Sequence, residues 1–258
     1  MKYTLDTDFS VLNGPKAKNW VLHFRESAEE AFRDRGMSSW LLGNLLMLES
    51  YVHTLRQGLA ARGRQPAAMV PYALDRLWDC LEGRAAPADW QDFANNLWAA
   101  TLCYNVGEEI SEAQAEFYRR NFEDVNDCTY EWQILTWCAT LFMYLVADAG
   151  GRLDFEEFEV DELGVQADFY GVDEMLSMLG DACVKLTNTP CPSYRANDVE
   201  KAMELVYQTP LFRQLVERIQ GALKTALTAA PEQYGALRAE YQTKGILPEE
   251  YAAGLLSF

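Results

Sequence analysis

Apolar residues recur along most of the chain at intervals of three and four, the spacing that lines one face of an α-helix. The first such face lies between Pro15 and Gly36 and contains Trp20, Val21, Phe24, Ala28, Ala31 and Phe32. A second begins after Ser38 or Ser39, either of which can cap a helix, and runs to about Ala61. Its members are Leu41, Leu45, Leu48, Val52, Leu55 and Leu59. Each pattern predicts a helix with one buried face.

Proline at helix starts and glycine at helix ends predict the remaining boundaries. The predicted starts are Pro66, Pro87, Pro210, Pro231 and Pro248. Ser111 and Gln114 have the spacing of a capping box, and Asn197 with Glu200 has the same spacing. No segment alternates apolar and polar residues as a strand does. The chain is therefore predicted to be all-α, with about ten helices in an irregular multi-helix bundle or in stacked helical hairpins.

One predicted helix, starting at Asp127 or Thr129 and ending at Gly150, is far more apolar than the others. Its segment Ile134–Ala147 has about fourteen largely apolar residues, with Glu131 and Asp148 on either side. A bilayer crossing needs about twenty. The pattern predicts a buried central helix rather than a membrane span.

Two segments lack helical periodicity, residues 152–171 and residues 188–197. The second contains Pro190 and Pro192, and we interpret both segments as connectors. The chain has 258 residues, 49% of them hydrophobic, with seven Trp, which is enough apolar material for one large core. We predict a single domain over residues 1–258, with a subdivision near residues 150–172 as the alternative.

The formal net charge is −17 and the pI is about 4.5. Nucleic-acid binding needs clustered Lys and Arg, and anionic lipid repels such a surface, so neither is an expected partner. The acids are unevenly spread: between Phe122 and Met175 the chain has fourteen acids and one base, Arg152. This span predicts attraction of a basic protein, and the alternative is that acidity serves only solubility.

The acids are densest in a nine-residue piece that contains six carboxylates and two Phe. Because crowded like charges repel one another, a basic partner would relieve the repulsion, and the Phe side chains would anchor it. The candidate partner-binding residues are Asp154, Phe155, Glu156, Glu157, Phe158, Glu159, Asp161 and Glu162. The alternatives are a solvated loop whose Phe side chains enter the core, and a metal site. A calcium loop of the EF-hand type needs a central Gly that this piece lacks, so no metal site is predicted.

The cysteine and histidine residues give no metal-binding pattern. Six Cys occur without a Cys-x-x-Cys pair, and buried Cys commonly acts as a small apolar residue. With no apolar leader at the N-terminus, the expected location is the reducing cytoplasm. His23 is expected to pack against a neighbouring helix, and Glu49 with His53 to form a surface pair.

No catalytic residue and no cofactor are predicted. Asp79 and Glu82 share a helix face beside Trp78, with weak pairing expected for Arg76, but no nucleophile, oxyanion donor or phosphate loop accompanies them. An enzymatic or small-molecule-binding bundle is the alternative function, with an aromatic pocket built from Tyr51, Trp78, Trp90, Trp98, Tyr104, Trp132 and Trp137.

The segment Leu77-Trp78-Asp79-Cys80-Leu81-Glu82-Gly83 resembles a short stretch of the all-helical bacterial immunity proteins of polymorphic toxin systems. The Trp-rich helices between Ser39 and Tyr104 are similar in character. The resemblance implies a cytoplasmic protein that binds a toxin domain and blocks it, without catalytic residues of its own. Together with the charge, it leads to the expectation of an inhibitor that docks an acidic surface onto a basic partner such as a toxin domain.

Overall fold

The computed structural model describes residues 5–12, 19–105, 111–125, 129–153, 169–188 and 199–256. Within these ranges it has eleven α-helices and no β-strand, which confirms the all-α prediction of about ten helices. The α-helices are α1 Trp20–Phe32, α2 Gly36–Ala60, α3 Met69–Leu81, α4 Gln91–Asn105, α5 Glu112–Asn121, α6 Thr129–Asp148, α7 Tyr170–Leu186, α8 Val199–Gln208, α9 Pro210–Thr228, α10 Tyr234–Tyr241 and α11 Glu249–Leu255. Short 3-10 helices cover Phe9–Leu12, Pro87–Trp90 and Pro231–Gln233.

The described residues divide into two compact units. Unit 1 falls within Met1–Arg62 and Ala167–Phe258, and unit 2 within Gly63–Gln166. Unit 1 therefore contains α1, α2 and α7 to α11, and unit 2 contains α3 to α6. That the two units form one domain over residues 1–258 stays a prediction.

Unit 1 is built around α2, which packs against α9, α10 and α11, while α1 packs mainly on α7. Every residue from 40 to 52 is buried. The prediction of a single buried face for this helix is therefore wrong over those residues. Neighbouring helices cover it on all sides, and a helix in that position has no polar face.

The predicted surface pair of Glu49 and His53 is also corrected, because Glu49 is buried. Its Oε1 atom lies 3.3 Å from the Nε2 atom of Gln242 and 3.5 Å from the Nε atom of Arg238 on α10. A buried carboxylate needs such partners to compensate its lost hydration. His23 lies at the surface instead of in a helix interface, with its Nδ1 atom 3.0 Å from Glu26 Oε2.

Close approach of α11 to α2 depends on Gly58. A Cβ atom at this position would lie 2.5 Å from the backbone oxygen of Ala252 on α11. Glycine is therefore required here by packing, although it weakens a helix interior. Gly235 on α10 is the contrasting case, because a Cβ atom there would meet nothing within 4 Å.

Unit 2 is built around α6, which packs against α3 and α4. Between Ile134 and Val146 it is buried except for scattered half-buried positions, as the predicted central helix requires. No helix of the described residues has the length and apolar character needed to cross a membrane.

Helix boundaries follow the sequence signals unevenly. The capping box is confirmed, since the Gln114 N–H donates to Ser111 Oγ at 3.2 Å and the Ser111 N–H donates to Gln114 Oε1 at 2.8 Å. Helix α9 begins at the predicted Pro210. Helix α2, however, begins at Gly36 without a side-chain cap, before the predicted Ser38 or Ser39. Asp127 and the predicted cap at Asn197 lie outside the described residues.

We expect Gly58→Ala to lower the free energy of unfolding by about 1–3 kcal/mol, because its methyl group meets a backbone oxygen that cannot move alone. Denaturant unfolding followed by circular dichroism measures this. Gly235→Ala is the matched control, expected to leave stability unchanged or to raise it by up to about 1 kcal/mol. Equal effects of the two changes would contradict the role of Gly58 in α2–α11 packing.

Candidate functional site

The candidate partner-binding residues Asp154, Phe155, Glu156, Glu157, Phe158, Glu159, Asp161 and Glu162 all lie outside the described residues. Their role therefore stays a prediction. Other acids of the same span are described, and they show which part of the charge is used inside the fold.

Asp124, Glu131 and Asp173 have internal partners. Asp173 on α7 lies 3.2 Å from Arg25 on α1, joining two helices of unit 1. Asp124 and Glu131 bind backbone N–H groups in unit 2. By contrast, Glu123 and Asp148 are exposed and form no ion pair within the described ranges. Part of the charge concentration is therefore structural rather than available to a partner.

The two carboxylates of unit 2 meet at the start of α3. The Ala67 N–H donates to Glu131 Oε1 at 2.6 Å, and the Ala68 N–H donates to Asp124 Oδ2 at 2.8 Å. Ala68 is the N-cap residue and has no polar side chain to satisfy these amides. Glu131 is fully buried, so its hydrogen bond to the Ala67 amide lies in a poorly hydrated place. The two acidic side chains take the place of the missing N-cap side chain. Their position is favourable because the N-terminus is the positive end of the helix dipole.

An open cleft of about 420 Å³ lies beside this helix start, within unit 2. We call it the aromatic cleft. It is formed by the first turn of α3, by α4, by the end of α5 and by the residues that follow α5. Its lining consists of Ala68, Met69, Tyr72, Phe93, Phe117, Arg120, Asn121, Glu123 and Asp124.

Three rings of the aromatic cleft stand nearly perpendicular to their neighbours. Tyr72 and Phe93 have ring centroids 5.6 Å apart at 70°, and Phe93 and Phe117 have centroids 6.0 Å apart at 75°. Phe93 is also in edge contact with Phe142 of α6, so the cleft floor is continuous with the core. Tyr72 is 44% exposed, and it is one of three large apolar residues with such exposure in the described part of the chain.

The charged groups at the aromatic cleft are two carboxylates and one guanidinium. Asp124 uses one oxygen on the Ala68 amide, whereas Glu123 has no hydrogen bond within the described ranges. The Nε atom of Arg120 lies 2.6 Å from Glu116 Oε1 on the same helix, so its charge is already partnered. Arg76 shows that Tyr72 accepts a cation, since its Cζ lies 5.3 Å from the ring centroid.

This arrangement suits one amphipathic side chain from a partner. The rings can enclose an aromatic group or the aliphatic stem of Lys or Arg, and Glu123 can hold a cationic head. The sequence did not predict this cleft, because its lining comes from separate helices. Tyr72 was a weak local signal, since this aromatic residue falls outside the apolar stripe of α3 formed by Met69, Val70, Ala73, Leu74 and Leu77.

The seven aromatic residues predicted for a pocket do not line the aromatic cleft. Tyr51 and Trp78 are fully buried core residues, and Trp132 and Trp137 are almost so. Trp90 and Trp98 are half-buried, and the side chain of Tyr104 lies outside the described residues. Trp132 stacks on Phe122 at 5.4 Å, which is core packing.

The acids around Trp78 are held in ion pairs, which opposes a role in acid–base chemistry. Arg76 lies three residues before Asp79 and their side chains are 3.1 Å apart, so the expectation of weak pairing was wrong. Arg84 contacts Asp79 Oδ1 at 2.7 Å and also contacts Glu82. Burial, with Asp79 and Asp89 nearby, raises the pKa of Cys80 to about 11, so it remains a thiol at neutral pH.

The described cysteines other than Cys80 have positions typical of packing residues. Cys138 and Cys183 are buried, as expected for small apolar residues, and burial raises the pKa of Cys183 to about 12. The side chains of Cys103, Cys128 and Cys191 lie outside the described residues. Within the described ranges, no group of three or more His, Cys, Asp or Glu side chains is placed to hold a metal ion.

The segment Leu77–Gly83 is the end of α3. Leu77 and Trp78 are buried, and the chain then leaves the helix through Gly83, whose φ is +70°. The Arg84 N–H donates to the Asp79 oxygen at 2.8 Å, and the Gly83 N–H donates to the Cys80 oxygen at 3.2 Å. This is a Schellman motif, which requires a residue tolerant of positive φ. Helix packing and termination account for the residues of this segment.

No protein-family model matches the chain, and neither a curated protein nor a solved structure shows significant similarity to it.

We expect Glu131→Ala to lower the free energy of unfolding by about 1–3 kcal/mol, because the buried Ala67 amide loses its acceptor. Denaturant unfolding measures the change. Asp148→Ala is the matched control on the same helix. It removes an exposed carboxylate near the helix C-terminus, where negative charge is unfavourable, so the free energy of unfolding should stay unchanged or rise slightly. If both variants unfold at the same denaturant concentration, the capping role of Glu131 is wrong.

Proposed function

We propose that this chain is a protein-binding inhibitor that docks an acidic surface onto a basic partner, as an immunity protein does with a toxin domain. The observation that carries this proposal is the charge between Phe122 and Met175, where the sequence contains fourteen acids and one base. The local charge of −13 is most of the total of −17. Solubility alone does not require such concentration, since acids spread evenly along the chain would serve it equally well.

Within this span, the acids without a known structural role are the basis of the proposed surface. Asp124, Glu131 and Asp173 are used internally. The six acids of residues 154–162 are the proposed contacts, with Phe155 and Phe158 as apolar anchors. Neutralisation of these crowded charges by Lys and Arg of a partner favours both encounter and binding.

The aromatic cleft supports the second stage of the proposed mechanism. Glu123 and Asp124, which line it, open the acid-rich span. Electrostatic attraction brings the basic partner to this region, and an aromatic or Lys/Arg side chain of the partner then enters between Tyr72 and Phe117. The bound chain occludes the partner's own site and so inhibits it.

The toxin assignment has a genomic test. We expect a coding region for a toxin-like protein with a basic C-terminal domain immediately upstream of the gene for this chain. That domain, produced with an inactivating substitution, should form a complex with the chain on size-exclusion chromatography. A neighbouring domain that is acidic, or that forms no complex, contradicts the assignment.

We expect the association rate with that domain to fall about tenfold or more between ~50 mM and ~500 mM NaCl, because salt screens long-range attraction. Stopped-flow fluorescence or surface plasmon resonance measures the rate. The variant E156Q/E157Q/E159Q/D161N should lose most of this salt dependence. The control D34N/E217Q/E232Q/E249Q removes equal charge from exposed positions of unit 1 and should change the rate little. If the two variants change the association rate equally, net charge explains the attraction and the acids of residues 154–162 have no special role.

We expect Tyr72→Ala to raise the dissociation rate about tenfold without changing the salt dependence of association, since an apolar anchor acts after encounter. Leu22→Ala is the control, because Leu22 is a comparably exposed large apolar residue that lies in unit 1. Dissociation unaffected by Tyr72→Ala would exclude the aromatic cleft from the interface while leaving the acidic surface intact.

A further inference from the structure

A second cleft lies in unit 1, and its charged residues are basic. It has a volume of about 480 Å³ and lies where α2 and α9 meet the segment that follows α10. We call it the basic cleft. Its lining consists of Ser50, Arg218, Gly221, Tyr241, Thr243, Lys244 and Gly245.

The charge of the basic cleft is opposite to that of the chain. The chain has 39 acids and 22 bases, yet this lining has two cations and no carboxylate. Lys244 is paired with Glu240, and its Nζ lies 5.0 Å from the Tyr241 ring centroid. Arg218 is therefore the cation whose charge is less fully matched.

Arg218 is half-buried on α9 and has an unusual set of partners. One N–H of its guanidinium donates to the Gly245 backbone oxygen. Within the described ranges it forms no ion pair, and Glu250 acts on it only at longer range. Burial lowers the pKa of Arg218, which reports lost hydration. In a chain with such an excess of acids, a partly desolvated guanidinium without a carboxylate leaves donors for an anion from outside.

Two further residues shape the basic cleft. Ser50 lies in its lining and is only 4% exposed. Gly221 lies on α9 where a Cβ atom would meet nothing within 4 Å, so its lack of a side chain leaves space open. A volume of this size falls in the range of small-molecule sites.

We propose that the basic cleft binds the oxyanion group, carboxylate or phosphate, of a small molecule, with Arg218 as the principal ligand and Lys244 as a second cation at the rim. The planar guanidinium can donate two parallel hydrogen bonds to an oxyanion, which a lysine cannot. Ser50 supplies a hydroxyl, and the site is independent of partner binding by the acidic region.

Inorganic phosphate and succinate are the probes, each titrated into the full chain in the millimolar range against NaCl of equal ionic strength. Isothermal titration calorimetry and the thermal midpoint measure binding. The result expected is saturable one-to-one binding of at least one probe, with a rise in the midpoint. Binding of phosphate alone or of succinate alone assigns the ligand class. Absence of saturable binding of both overturns the proposal.

Three variants separate this site from general charge effects. Arg218→Gln should weaken binding at least tenfold, and Gly221→Leu should do the same by filling the cleft while Arg218 remains. Lys224→Gln is the matched control, because Lys224 is an exposed cation on the same helix that lies outside the cleft lining. Circular dichroism confirms that each variant is folded. Binding that survives both cleft variants, or that falls equally in Lys224→Gln, overturns the proposal.

Discussion

Each unit of this protein depends on one helix that is buried on almost every side. In unit 1 this is α2, buried without interruption from residue 40 to residue 52, and in unit 2 it is α6. A helix satisfies its own backbone hydrogen bonds, so it can be enclosed without leaving polar groups unpaired. The surrounding helices then need only one apolar face each. A carboxylate enclosed in such a helix needs hydrogen-bond donors in place of water. Glu49 of α2 and Glu131 of α6 are both buried and both are hydrogen-bonded.

Features encoded in a few neighbouring residues were predictable. Apolar spacing identified the helices, Pro210 marked the start of α9, and the Ser111–Gln114 box marked the start of α5. Features decided by distant neighbours were not. Helix α2 starts at Gly36 without a cap, so no local signal marks it. Its burial on all sides, and the inward position of Glu49, depend on helices that come more than a hundred residues later.

The same distinction applies to the functional surfaces. The crowding of acids is a property of the sequence alone, but the fate of each acid depends on what the fold brings to it. Asp173 meets Arg25 and Asp124 meets the Ala68 amide, and no spacing rule relates these pairs. Both clefts draw their linings from three separate parts of the chain. Arg218 carries no motif, and only its burial among non-acidic neighbours distinguishes it.

The start of α3 has a consequence for how unit 2 assembles. The amides of Ala67 and Ala68 find their acceptors 64 and 56 residues away in sequence. This terminus is therefore completed only when α6 is docked against α3, and a fluctuation that frees Glu131 uncovers the amide of Ala67. Hydrogen–deuterium exchange at Ala67 thus reports separation of α3 from α6 rather than fraying of one helix end.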